Sequence, residues 1–206
     1  MRRFCLFILC AILSLPSQGQ AFDAWKTYTI STPEGDLVDS RENVKLESPL
    51  LLSDDTHAER ASCLWQIKPV GGGLYQLING YSFLAIDNAG GNDEHPALQW
   101  HDEKNNSNQL WHVIRNQDGS YGFLCEASGL ALGRRDGLLW QLEPDPDSPM
   151  QRWIIRESAV KVDFIVPKTS SSNDWENERV FAVNKEPGHV TLIPYATEEE
   201  MLADAA

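Results

Sequence analysis

Thirty carboxylates, five histidines, seven tryptophans and four cysteines are the groups in this 206-residue chain that could do chemistry. Their spacing decides which chemistries are open. His57, His95, His101, His112 and His189 are scattered, and no serine sits in a Gly-x-Ser-x-Gly elbow. There is no phosphate-cradling glycine loop, and two cysteines with scattered histidines give no zinc-ligand spacing. Paired carboxylates of the kind that hydrolyse glycosides stay open on composition alone, although "DPDSP" and "HDEK" read more simply as loop residues. What recurs is an amide two residues before an indole: Gln109 with Trp111, and Gln151 with Trp153. Cys63 with Trp65 keeps the indole and loses the amide. Residues i and i+2 of a strand face the same side. Each Trp can therefore bring its large apolar area to a shared core, while the Gln beside it bonds backbone groups of its own loop that would otherwise be buried unpaired.

These pairs mark the ends of a repeat. Trp65 and Trp111 are 46 residues apart, as are Tyr75 and Tyr121, Leu84 and Leu130, and Ala85 and Ala131. Tyr28 precedes Tyr75 by 47, and Trp153 follows Trp111 by 42. The shortfall fits a loop cut from "NAGGNDEHP" to "RRDG". Three copies result, at 26–67, 68–114 and 115–156, the first the most divergent. Within each, runs such as "LYQLI", "FLAID", "ALQWH" and "LWHVI" are short and apolar or alternating, broken by Gly, Asn, Asp and Pro. About four strands per copy follow, with almost no helix. No copy can bury its apolar face alone, so the three must close around a common core. Closure also removes exposed strand edges. The expected fold is all-β, a β-trefoil.

The flanks differ from the repeats. "MRR", the apolar run "FCLFILCAILSL" and the small, polar "PSQGQA" read as a secretory signal over 1–21, cleaved after Ala21. Its apolar run is short of the about 20 residues a membrane span needs. Cleavage removes two arginines and no acid, taking the formal charge from -13 to -15. An acidic surface argues against nucleic acid and anionic membranes as partners. Only Cys63 and Cys125 lie outside the signal; spacing leaves open a disulfide or two buried thiols. The domain spans 22–157. Over 158–206 the repeat is lost, and "AVKVDFIVP", "RVFAV" and "HVTLIPY" read as strands of a β-rich extension. Trp175 stands in a polar loop, and Thr197, three residues before Glu200, starts a short terminal helix.

Three copies of some forty residues ending in Gln-x-Trp resemble the ricin-B-like (R-type) lectin family of β-trefoils. The resemblance covers residues 26–156 and is strongest in 74–114, "LYQLINGYSFLAIDNAGGNDEHPALQWHDEKNNSNQLW". It implies a sugar pocket built from an Asp after the second strand, here Asp87. The other parts are Gln99, an aromatic on the next strand (Trp100 or His101), and the closing pair Asn108 and Gln109. Trp65, Trp111, Gln151 and Trp153 take the structural role. The chemistry suits such a ligand. A carboxylate can accept from two vicinal hydroxyls through charge-assisted bonds, an amide both donates and accepts, and a flat ring packs on the apolar face of a pyranose. Gln99 and Trp100 point to opposite faces of a strand. If Gln99 faces the scaffold, His101 shares its side, so both rings are carried forward. Asp87 could also simply cap the turn before "NAGG".

The other copies depart from the pattern. Gly133 and Met150 stand where Asp87 and Asn108 stand in the second copy. In the first copy Asp39 lies near the matching place, but Ser62 and Cys63 replace Asn108 and Gln109. One sugar site and two scaffolding lobes are expected. One shallow site gives a dissociation constant around a millimolar, about -4 kcal/mol, so useful avidity needs clustered sites. The leader implies a secreted or periplasmic protein, the missing constellations imply a non-enzymatic one without metal or cofactor, and the resemblance implies carbohydrate binding with galactose- or xylose-type glycans. The alternative is a trefoil that binds or inhibits another protein and keeps only a vestigial sugar site.

Overall fold

The computed structural model describes residues 22–162 except 104, and the backbone of two further strands over 179–186 and 189–195. The expected signal, Trp175 and the expected terminal helix lie outside the described residues. The first lobe contains β1 (Tyr28–Ser31), β2 (Leu37–Asp39), β3 (Leu51–Ser53) and β4 (Trp65–Gly71). The second contains β5 (Leu74–Asn79), β6 (Ala85–Asp87), β7 (His95–Pro96), β8 (Leu98–Trp100) and β9 (Trp111–Arg115). The third contains β10 (Tyr121–Cys125), β11 (Ala131–Arg135), β12 (Leu138–Leu142) and β13 (Ile154–Glu157).

Six segments close a ring. β1 pairs β4, β4 pairs β5, β5 pairs β9 and β9 pairs β10; Tyr121 bridges Trp153, and β13 returns to β1. The Tyr and Trp of each lobe face each other across this ring, as Tyr28↔Trp65, Tyr75↔Trp111 and Tyr121↔Trp153. The hairpins β2–β3, β6–β8 and β11–β12 cap one end, stitched together by Leu138↔Leu51, Trp140↔Pro96 and Pro49↔Leu98. The fold is a β-trefoil.

The core is built from equivalent side chains of the three lobes. Ile30, Leu77 and Phe123, then Val38, Ile86 and Leu132, then Leu50, Ala97 and Leu139 hold matching places in the repeats and join one buried cluster. Trp65, Trp111 and Trp153 are fully buried. A buried indole N–H needs a partner, and each finds the same one. Trp65 Nε1 donates to Val38 O (2.9 Å), Trp111 to Ile86 O (3.2 Å) and Trp153 to Leu132 O (2.9 Å). These bonds pin the end of each lobe to the strand carrying Asp39, Asp87 or Gly133. At the open end of the ring Phe22 lies against Tyr28, Tyr75 and Tyr121, with centroids 5.4, 5.7 and 5.7 Å away. Cys63 and Cys125 are buried free thiols.

Beyond β13 a separate sheet begins. β14 (Lys161–Val162) pairs parallel with β16 (His189–Tyr195), which pairs antiparallel with β15 (Arg179–Glu186). Val160 and Val162 dock on Leu64, against Ala61 and Phe83 of the trefoil.

Candidate functional site

Asp87 ends β6 and begins a tight turn. Its Oδ1 accepts the Ala89 N–H at 2.7 Å, and the Oδ1 of Asn88 accepts the Gly90 N–H at 2.7 Å. Successive side-chain-to-backbone bonds of this kind are what Asp and Asn bring to turns. They hold Ala89 (φ 57°) and Gly90 (φ 75°) in the left-handed region. Asp87 Oδ2 accepts from Gln109 Nε2 at 2.9 Å and from Asn106 Nδ2 at 3.4 Å. A carboxylate offers about four acceptor positions, so three are spent within the protein, and Asp87 is only 4% exposed. It organises the turn and the adjoining loop.

Gln109 is fully buried. Besides Asp87, its Nε2 bonds His101 O at 2.6 Å, and its Oε1 accepts the Glu103 N–H at 2.9 Å. The same clamp recurs in the third lobe, where Gln151 Nε2 bonds Glu143 O (2.7 Å) and Oε1 accepts Asp145 N–H (2.9 Å). The amide before each Trp thus closes its own loop. Gln99 is fully buried too. Ile86 and Gln99 are directly paired across β6 and β8, which turns Gln99 inward. Its Nε2 bonds Asn43 O (3.2 Å) and Ser48 Oγ (2.9 Å) in the first lobe, and its Oε1 accepts from Ser82 Oγ (2.6 Å). Gln141 does likewise in the third lobe, bonding Asn88 O at 2.5 Å and accepting from Ser128 Oγ. Gln99 and Gln141 stitch neighbouring lobes, and their amides do not line a surface pocket.

The opposite face of β8 carries Leu98 and Trp100, paired with Asp87 and Ala85. Trp100 is half-buried, and its Nε1 donates to Glu103 Oε1 at 3.3 Å. His101, also half-buried, meets its ring edge-on at 5.8 Å and 75°. Asn108, in the single helical turn Ser107–Gln109, is half-buried. Its Nδ2 lies 3.7 Å from where a Cβ on Gly90 would sit, so its amide rests against the Asp87 turn.

Two residues that sequence reasoning passed over complete the cluster. Asn106 caps the Ser107–Gln109 turn through its Oδ1, and its Nδ2 bridges the carboxylates of Asp87 (3.4 Å) and Glu103 (3.0 Å). Glu103 in turn holds Trp100. Asp87, Asn106, Glu103 and Trp100 form one bonded chain that ends at a half-exposed indole. Both newcomers sit in "HDEKNNS", whose polar composition looks like any loop. The available signal was the Asn two residues before Asn108, at a capping position. The cluster offers hydroxyl-binding amide and carboxylate groups beside a flat ring. No group of three His, Cys, Asp or Glu able to hold a metal occurs among the described residues.

The other lobes are built differently at this place. Asp39 is buried and accepts from Ser53 Oγ (2.7 Å) and Arg41 N–H (2.6 Å), with Arg41 Nε 3.4 Å away. Serine and arginine there stand in for the amide that Cys63 cannot supply. Burial, with the nearby Asp39 charge, pushes the Cys63 thiol up to about 11. In the third lobe a Cβ on Gly133 would meet Leu142 Cδ1 at 2.5 Å and Gln151 Cγ at 3.2 Å. Leu142 takes the place of Trp100 in the β11–β12 pairing and fills the space.

Residues 61–137 match the family described as ricin-type beta-trefoil lectin domain-like. No curated protein sequence matches the chain. Solved structures that it resembles include a designed three-fold symmetric protein, ThreeFoil, at 20% identity and TM-score 0.56, covering 63% of this chain and 96% of that one. The lectin of Polyporus squamosus, solved with the epitope Neu5Aca2-6Galb1-4GlcNAc, is 18% identical with TM-score 0.56 over 66% of this chain and 50% of its own. The exo-beta-1,3-galactanase 1,3Gal43A of Clostridium thermocellum is 20% identical with TM-score 0.59 over 67% and 31%. This chain thus spans about half of the fungal lectin and a third of the galactanase.

Proposed function

We propose that this chain, which carries a ricin-type β-trefoil lectin-like domain, is an exported, non-catalytic protein that binds glycans at its second lobe. The observation that carries the reading is the bonded chain Asp87–Asn106–Glu103–Trp100, which fixes a half-exposed indole beside half-buried polar groups. Trp100 stacks on the apolar face of a pyranose, with His101 at its edge. Asn108, Glu103 and Asn106 take its hydroxyls, while Asp87, Gln99 and Gln109 hold the frame. The lectin family match and the lectin neighbours support carbohydrate as the ligand class. Galactose- or xylose-type sugars are the first to test. A lone open site of this size belongs near the millimolar range, so binding in use rests on clustered ligands or clustered copies. Export follows from the leader at 1–21, and N-terminal sequencing of the exported chain tests cleavage after Ala21.

A glycan array at high protein density tests the binding. Wild type should mark a set of neutral glycans that Trp100→Ala and Asn108→Ala, both folded by circular dichroism, lose. Binding that survives both changes removes the site assignment, and no binding at all removes the lectin reading. One observation favours the rival: Asp87 is 4% exposed and tied to its own turn, as a protein-binding trefoil with a vestigial sugar site would have it. Capture of a protein partner with a silent array would favour that reading.

A further inference from the structure

Next to the proposed site lies an open groove of about 510 Å3, walled by Ala89, His95, Pro96 and Leu98 of the second lobe and by Glu47 and Pro49 of the first. Its size falls within the range of about 300–1,000 Å3 typical of small-molecule clefts. It is continuous with the Asp87 cluster in two ways. Leu98 is the direct cross-strand partner of Asp87, so the two side chains stand side by side on one face. Ala89, whose N–H is fixed by Asp87 Oδ1, belongs to the turn against which Asn108 rests.

The groove is preformed. It runs over the seam where Pro49 bridges Leu98, Glu47 N–H donates to Gln99 O (2.9 Å) and Gln99 N–H donates to Ser48 O (2.9 Å). Glu47 (φ 59°) and Ala89 (φ 57°) both hold left-handed backbone there, a conformation that non-glycine residues keep only where the surroundings impose it. The His95 ring is braced by the Gln141 amide, 3.1 Å from Nε2. Its surface is mixed in a particular way. Pro49, Pro96 and Leu98 supply an apolar bed, and the exposed carboxylate of Glu47 supplies an acceptor at the rim.

We infer that this groove is a second subsite, occupied by the penultimate residue of a glycan whose terminal residue lies against Trp100 and Asn108. The inference rests on the sugar-binding reading of the second lobe. An apolar bed with a polar rim matches a pyranose, whose C–H face is apolar and whose edge carries hydroxyls. It makes the ligand class an oligosaccharide, and it places specificity for the second sugar at the junction of two lobes.

The test compares the best oligosaccharide found on an array with its own terminal monosaccharide as the methyl glycoside, by calorimetry. Wild type should hold the oligosaccharide about tenfold tighter, equivalent to about 1.4 kcal/mol. Glu47→Asn keeps a residue that tolerates left-handed backbone and withdraws the carboxylate, and Leu98→Ala removes the bed. Each should cut the ratio to about twofold and leave the monosaccharide affinity unchanged, whereas Asn108→Ala should lower both. A wild type without the ratio, or a ratio untouched by both groove variants while monosaccharide binding persists, overturns the subsite alone. Absence of binding to either ligand overturns the site as well.

Discussion

Gln109 donates to the carboxylate of Asp87 across 2.9 Å, at the point where the loop scaffold and the candidate site share an atom. The same amide closes the loop through His101 O and Glu103 N–H. Gln151 makes only the loop bonds, because Gly133 stands where Asp87 would be.

Gln109→Ala should therefore cost more than Gln151→Ala. The first strands two backbone groups and leaves Asp87 Oδ2 only its long bond from Asn106 (3.4 Å), about 3 kcal/mol in all; the second strands groups near solvent, about 1 kcal/mol. Urea unfolding of both variants measures the difference, and equal losses would contradict the coupling of Asp87 to Gln109.

Restoring the missing acid in the third lobe should not restore a site. Leu142 and Gln151 occupy the space beside Gly133, so Gly133→Asp overpacks a buried position and should destabilise by about 1–3 kcal/mol. In an Asn108→Ala background it should bring back no glycan binding in calorimetry. Recovered binding would show that the third lobe lacks only the carboxylate.

Part of this was legible in the chain. The 46-residue spacing and the Gln-x-Trp pairs come from a constraint that acts on every lobe alike, closure around one core, and such constraints leave periodic marks. Strand alternation placed Gln109 beside Trp111, whereas Gln109 and Gln151 end the single helical turns Ser107–Gln109 and Pro149–Gln151 ahead of the strands and reach inward from there. Gln99 was less legible: its partners Asn43 and Ser48 are about fifty residues away, across a lobe boundary that spacing does not reveal. Glu103 and Asn106 act through geometry peculiar to one loop, so no repeat highlights them. Leu142 fills a pocket by packing, and the sequence showed only that Gly133 was not Asp.

The ring has an aromatic stopper. Phe22 is 6% exposed and lies against all three equivalent tyrosines. Phe22→Ala should cost about 3 kcal/mol, the low end for a buried phenylalanine because the site lies at an open end. Thermal unfolding checks it, and an unchanged midpoint would mean that Phe22 adds nothing to the closure.

Thiol chemistry separates the two buried cysteines from a disulfide. Both are free, and burial holds the Cys63 thiol at about 11, far from the thiolate that reacts. A chromogenic disulfide reagent at pH 8 should find neither Cys63 nor Cys125 in the native protein and both after denaturation without reductant. Their absence from the denatured count would mean that they are paired.

Sugar held against Trp100 in the second lobe can be followed by nitrogen-15 NMR of the tryptophan indoles and asparagine amides during glycan titration. The Trp100 Nε1–H and the Asn106 and Asn108 side-chain amides should shift progressively. The indoles of Trp65, Trp111 and Trp153, sealed on Val38, Ile86 and Leu132, should stay in place. Saturable glycan binding that leaves the Trp100 and Asn108 signals unmoved would contradict that placement.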